Sequence, residues 1–140
     1  MKESKFSRNK KYIAINFILF AILYLTVALN KEFIRPNYGY LPIIGIVTGS
    51  FSNFMAAYII NLFAIAPILT RKIRIDKSRL IFYVISIAVF IILTAEEIKP
   101  FVDASKTYDP YDILASGFGS IAAILTFELF ITKIIKKHEF

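Results

Sequence analysis

The chain has 140 residues, 57% of them hydrophobic and 16% aromatic, with a mean hydropathy of +0.64 and a formal net charge of +7. A soluble domain of this length cannot bury so much apolar surface, so the composition places the chain in a lipid bilayer. With no cysteine there is no disulfide or thiol chemistry, and with one histidine, His138, no His/Cys metal site can be built. No metal or cofactor is expected, although composition leaves an all-oxygen site for a hard cation open.

A hydrocarbon core about 30 Å thick needs roughly 20 apolar residues of helix. Four such runs are legible, at residues 12–29, 51–69, 80–95 and 111–132. The expected fold is therefore an all-α integral membrane protein, a four-helix transmembrane bundle forming one domain over residues 1–140. Basic residues set its orientation, because short basic loops stay on the cytoplasmic side. The start supplies Lys2, Lys5, Arg8, Lys10 and Lys11, the middle loop Arg71, Lys72, Arg74, Lys77 and Arg79, and the tail Lys133, Lys136 and Lys137. Only Lys31, Arg35, Lys99 and Lys106 remain of the 17. Both termini are thus expected inside, with residues 30–50 and 96–110 outside. The positive charge is then a topology signal, and no basic patch is left over for nucleic acid.

In chain order, the basic start and first apolar run look like a secretory signal, but the run is too long for one and no small-x-small cleavage site follows, so it is expected to stay as the first span. Asn16 and Thr26 within it suit hydrogen bonds to neighbouring helices or backbone. Residues 41–50 carry Pro42, Gly45 and Gly49 and are too short to span, so an interfacial or partly re-entrant segment is expected there. Arg35, just before it, has a planar fork that suits a carboxylate, an anionic ligand or a lipid phosphate. The second span is expected to open at GSFSNF, with Ser52 as cap and Asn53 in the first turn, within reach of the second outer loop. Asn61 and Pro67 read as packing and kinking residues. The third run is only sixteen residues, about 24 Å of helix, which leaves Glu96 and Glu97 at the membrane boundary. Glu128, near the inner end of the last run, is expected to reach toward Lys133.

Residues 96–120, EEIKPFVDASKTYDPYDILASGFGS, hold five of the chain's ten carboxylates between two apolar runs. Asp109-Pro110-Tyr111-Asp112 reads as a helix start, with Asp at the N-cap, Pro at the first position, and both negative charges at the positive end of the dipole. Below it, Ala115, Gly119 and Ala123 recur at four-residue spacing and would let another backbone approach closely.

The order of glutamate, basic residue, Asp-x-x-Asp and a glycine-bearing helix resembles the C-terminal motif of the VanZ-like membrane proteins. Glu97 stands at the family's glutamate, Lys106 at its arginine, Asp109 and Asp112 at its paired aspartates and Gly119 at its glycine. Pro100, Lys106 and Ser116 replace the family's glutamine, arginine and asparagine. The resemblance implies a small multi-pass protein of the bacterial cytoplasmic membrane, related to glycopeptide resistance or envelope stress. An outward polar site of Glu97, Lys106, Asp109 and Asp112, helped by Arg35 and Asn53, would suit a lipid headgroup or a glycan precursor. The alternative is a structural or assembly subunit whose outer loops only cap helices and dock a partner, with a homo-oligomer one form of that. An envelope-modifying enzyme with Glu97 as general base has the residue types but nothing further.

Overall fold

A computed structural model of the chain describes residues 5–71, 73–99 and 109–138. The described residues are helical throughout apart from short turns and hold no strand. Helix α1 (Lys5–Leu29) runs through a π-helical turn (Asn30–Ile34) into α2 (Arg35–Tyr38); α3 (Pro42–Leu62) leads into α4 (Ile65–Thr70). These are followed by α5 (Ile75–Ile98), α6 (Pro110–Thr126), a second π-helical turn (Phe127–Ile131) and α7 (Thr132–His138). Four stretches are long and apolar enough to cross a membrane: Ile13–Tyr38, Pro42–Leu69, Ile75–Ile98 and Pro110–Lys136. At 24 to 28 residues each, they reach about 36–42 Å, so their ends pass beyond a hydrocarbon core about 30 Å thick. The all-α, four-span membrane architecture expected from composition is the one observed.

The segment 41–50 is not a separate piece of chain: from Pro42 it forms the first turns of α3, and Ser52 lies inside that helix rather than at its cap. Pro42 sits at the first helical position, where its missing N–H costs nothing, and Leu41 before it is extended. The reversal from α2 is closed by Leu41 N–H donating to the Tyr38 carbonyl at 3.1 Å and Gly45 N–H donating to the Leu41 carbonyl at 2.6 Å. A Cβ on Gly45 would meet the Gly39 carbonyl oxygen at 2.5 Å, so the tight turn needs glycine there. Glycine and proline at this spacing make a helix hairpin.

Each further irregularity has a local cause. Pro67 cannot donate to the Phe63 carbonyl and its ring crowds that carbonyl, and the helix breaks there, between α3 and α4. Pro36 bears in the same way on Glu32, inside the first π-helical turn, where Arg35 N–H donates instead to the Asn30 carbonyl. In the second π-helical turn the Thr132 hydroxyl takes the Glu128 carbonyl, and the Thr132 N–H donates one residue further back, to Phe127.

Helices α3 and α6 form the most extensive pair, with α5 against both. At their centre Gly119 packs on the backbone of α3: a Cβ there would fall within contact distance of the Phe54 carbonyl oxygen, and lie 2.9 Å from Ala57 Cβ and 3.1 Å from Tyr58 N. The close approach expected of the small-residue face is thus seated on Gly119, with Ala123 buried one turn below and Ala115 half-buried one turn above. Toward the other end the core is Ile59, Leu62, Ile68, Phe82, Ala123 and Phe127, with the Phe82 and Phe127 rings stacked at 4.3 Å. Helix α1 is peripheral. It meets α3 and α4 along one side and leaves Ile13, Phe17, Phe20 and Tyr24 exposed.

Candidate functional site

The connection from α5 to α6 brings two of the anticipated carboxylates into contact. Asp109 is the N-cap of α6: its Oδ1 accepts from Tyr111 N–H at 2.9 Å, and Pro110 fills the first helical position. In a full capping box Asp112 would accept the N–H of Asp109. Here that N–H donates to Oε1 of Glu97 at 3.2 Å, so a carboxylate from the last turn of α5 takes the part of the cap's second member. The bond ties the end of one span to the start of the next.

Asp112 is thereby left free of the cap. It heads the buried stripe of α6, one turn above Ser116 and two above Ser120, and this spacing turns its carboxyl toward the bundle. Its Oδ1 is buried and has no hydrogen-bond donor among the described residues. The Thr94 hydroxyl, three residues before Glu97, is also buried without a partner among them. The charges of Asp112, Glu96 and Asp109 all lie near enough to act on Glu97. Glu96 and Glu97 also stand in the last turn of α5, at the negative end of its dipole, where a basic residue would be favoured and none is present. Like charges set against a helix dipole are costly, and a fold retains them where a cationic or hydrogen-bond-donating group is to be met. Among the described residues no three carboxylates or histidines are placed to hold a metal ion.

The other anticipated members lie elsewhere. Lys106 falls outside the described residues. Arg35 begins α2, exposed and without an ion pair among the described residues. Asn53 is deep in α3, on the face that meets α1: it lines a groove with Lys31, Glu32 and Ser52. Ser50, Phe51 and Phe54, on a different face of α3, line another groove with Tyr111, Ala115 and Phe118 of α6. The structure therefore gathers Glu97, Asp109 and Asp112 and sets Asn53 apart from them.

The opposite ends of α5 and α6 hold a cluster that the sequence pattern did not reveal. Glu128 faces α5 and accepts from both arms of Arg79, Nε at 3.0 Å to Oε1 and Nη2 at 2.7 Å to Oε2, with the Tyr83 hydroxyl donating to Oε1 at 2.6 Å. Lys133, the expected partner, is exposed and forms no such bond. By its charge Arg79 reads as part of the middle loop, but α5 begins at Ile75 and carries it into the span. Arg79 and Tyr83 at four-residue spacing on one helix face were the available signal.

No family model matches the chain, and neither a curated protein nor a solved structure matches it.

Proposed function

We propose that this chain is a multi-pass protein of the bacterial cytoplasmic membrane, similar in kind to the VanZ-like proteins, that binds the polar end of a cell-envelope ligand where α5 meets α6 on the outer side. The reading rests on one observation: Asp112 Oδ1 is buried without a donor among the described residues, beside a Glu97 that shares its neighbourhood with two further carboxylates. A buried carboxylate oxygen without a donor costs on the order of 1–3 kcal/mol or more. A ligand that brings an ammonium, amide or hydroxyl donor removes that cost, as a lipid headgroup or a glycan precursor would. Lys106 stands in the connecting segment at the position of the family's arginine and is proposed as the basic member of the site.

The alternative, a structural subunit with a capped connection, draws on Asp109, whose carboxylate is engaged by Tyr111 N–H. The two readings separate on charge. A cap needs only an accepting oxygen, so Asp109→Asn leaves function intact under either reading. Under the ligand reading Asp112→Asn and Glu97→Gln abolish survival under glycopeptide or envelope stress at unchanged membrane expression. Full survival of the Glu97→Gln/Asp112→Asn double variant sinks the ligand reading.

A further inference from the structure

Helices α1 and α3 diverge into a groove of about 500 Å³ lined by two kinds of surface. Phe20, Leu23, Tyr24, Val27 and Ala28 of α1 with Ala56 of α3 make its apolar wall, while Lys31 and Glu32 stand at one end and Ser52 and Asn53 part-way along it. None of those four polar side chains has an ion pair or side-chain hydrogen bond among the described residues, although Ser52 and Asn53 lie inside a helix that is apolar enough to cross a membrane. An amide facing hydrocarbon without a partner costs several kcal/mol. The groove therefore calls for an occupant with polar groups at one end and a chain at the other.

The vertical spacing narrows the choice. Asn30 donates from its amide to the Thr48 carbonyl at 2.6 Å, which sets those two residues level on antiparallel helices. Lys31 and Glu32 follow Asn30 and stand above that level, exposed; Ser52 and Asn53 come four and five residues after Thr48, about 6–7.5 Å below it along α3. Two opposite charges above and neutral hydrogen-bonding groups nearly two turns below them follow the order of a zwitterionic phospholipid, with its headgroup charges over its ester carbonyls. An anionic lipid would leave Glu32 facing unneutralised phosphate.

We propose that the groove between α1 and α3 binds one amine-bearing zwitterionic phospholipid. Lys31 meets the phosphate, Glu32 the primary ammonium, and the Asn53 amide and Ser52 hydroxyl donate to ester oxygens. One acyl chain lies along Leu23, Tyr24, Val27 and Ala56. The site shares no residue with Glu97, Asp109 or Asp112, and it stands whether or not those residues bind an envelope ligand.

The test is lipid retention by the full chain in detergent, read by native mass spectrometry after titration with dioleoyl phosphatidylethanolamine, phosphatidylcholine or phosphatidylglycerol. The parent retains one phosphatidylethanolamine, roughly fivefold more tightly than either other lipid, the ratio expected of one charge-assisted contact at a partly exposed site. Glu32→Gln removes the preference over phosphatidylcholine, whose quaternary ammonium cannot donate, and Lys31→Gln weakens all three. Glu97→Gln leaves retention unchanged. Equal retention of the three lipids by the parent, or a preference for phosphatidylglycerol, overturns the proposal, and neither outcome depends on a variant folding. Unaltered lipid selectivity in Lys31→Gln/Glu32→Gln, with helix content confirmed by circular dichroism, overturns it also.

Discussion

The contact at Gly119 yields the sharpest stability prediction, because the atoms in the way belong to backbone. A methyl group there collides with the Phe54 carbonyl and presses on Ala57 Cβ at 2.9 Å and Tyr58 N at 3.1 Å, none of which can rotate aside. Relief requires α3 and α6 to separate by roughly an ångström, and a gap of that size forfeits a quarter to a half of each facing van der Waals contact, itself about 0.1–0.2 kcal/mol. If about 40 atom pairs are affected, the number one buried leucine makes, Gly119→Ala costs about 2 kcal/mol, within the usual range of overpacking. Gly119→Ile costs more, since its branched side chain cannot fit between the two backbones. Ile121→Val is the control: Ile121 is 54% exposed on the opposite side of α6 and its loss of one methyl lies within about 0.5 kcal/mol. Thermal unfolding of the purified protein in one detergent, with dispersity checked by size-exclusion chromatography, reads the difference. If Gly119→Ala unfolds at the temperature of Ile121→Val, α3 and α6 do not meet at Gly119 and the packing scheme fails.

Three further outcomes are expected. Cysteine in place of the exposed Lys77 is labelled by an impermeant thiol reagent only after permeabilisation and cysteine in place of the exposed Lys99 is labelled in intact cells; the reverse pattern inverts the orientation. Glu128→Gln lowers the unfolding temperature well beyond Lys133→Gln, because it strands the Arg79 fork and the Tyr83 hydroxyl, and the exchange Arg79→Glu/Glu128→Arg recovers part of the loss. Asp109→Ala destabilises by about 0.5–2 kcal/mol while Asp109→Asn nearly matches the parent, since either Asp or Asn accepts the Tyr111 N–H; equal loss in both means the charge of Asp109, and not its cap, stabilises the start of α6.

The architecture was legible because it depends on totals: apolar run length fixes the number of spans whatever the local detail. The cap at Asp109 and the close approach at Gly119 were legible too, since each depends on residues adjacent in one helix. Residues 41–50 misled because proline and glycine carry two meanings. Pro42 at a first helical position starts a helix, and Gly45 admits the returning chain at Gly39; neither breaks α3. The start of α5, at Ile75 rather than Leu80, departs from the sequence reading for a related reason. A loop defined by its charges included Arg79, which tertiary contact draws into the helix and onto Glu128. A helix capped at Ser52 would hold Asn53 near the acidic residues; the start of α3 at Pro42 instead carries Asn53 about 15 Å down the helix. Pairings such as Glu97 with Asp109 N–H depend on how two helix ends meet, which no periodicity encodes.

Helices α5 and α6 carry a buried or half-buried carboxylate at each end, and the two ends are treated differently. At the end away from the α5–α6 connection Glu128 receives three donors, two from a guanidinium and one from a phenol, so both of its oxygens are engaged within the protein. At the connection Glu97 receives one backbone N–H at 3.2 Å, and Asp112 Oδ1 receives none among the described residues. Burial alone does not account for the contrast, because both ends lie in the same helix pair and the Glu128 end shows that the pair can present an arginine and a tyrosine where a carboxylate needs them. Asp112→Ser or Glu97→Gln would reduce the number of like charges there while leaving the carboxylate of Asp109 on the Tyr111 N–H. Removing charge should therefore have opposite effects at the two ends: Asp112→Ser raises the unfolding temperature of the isolated protein, whereas Glu128→Gln lowers it. A gain in stability with loss of survival under envelope stress would mark Asp112 as serving a ligand; destabilisation by Asp112→Ser would mean that its charge serves the fold after all, and the α5–α6 connection would then be structural.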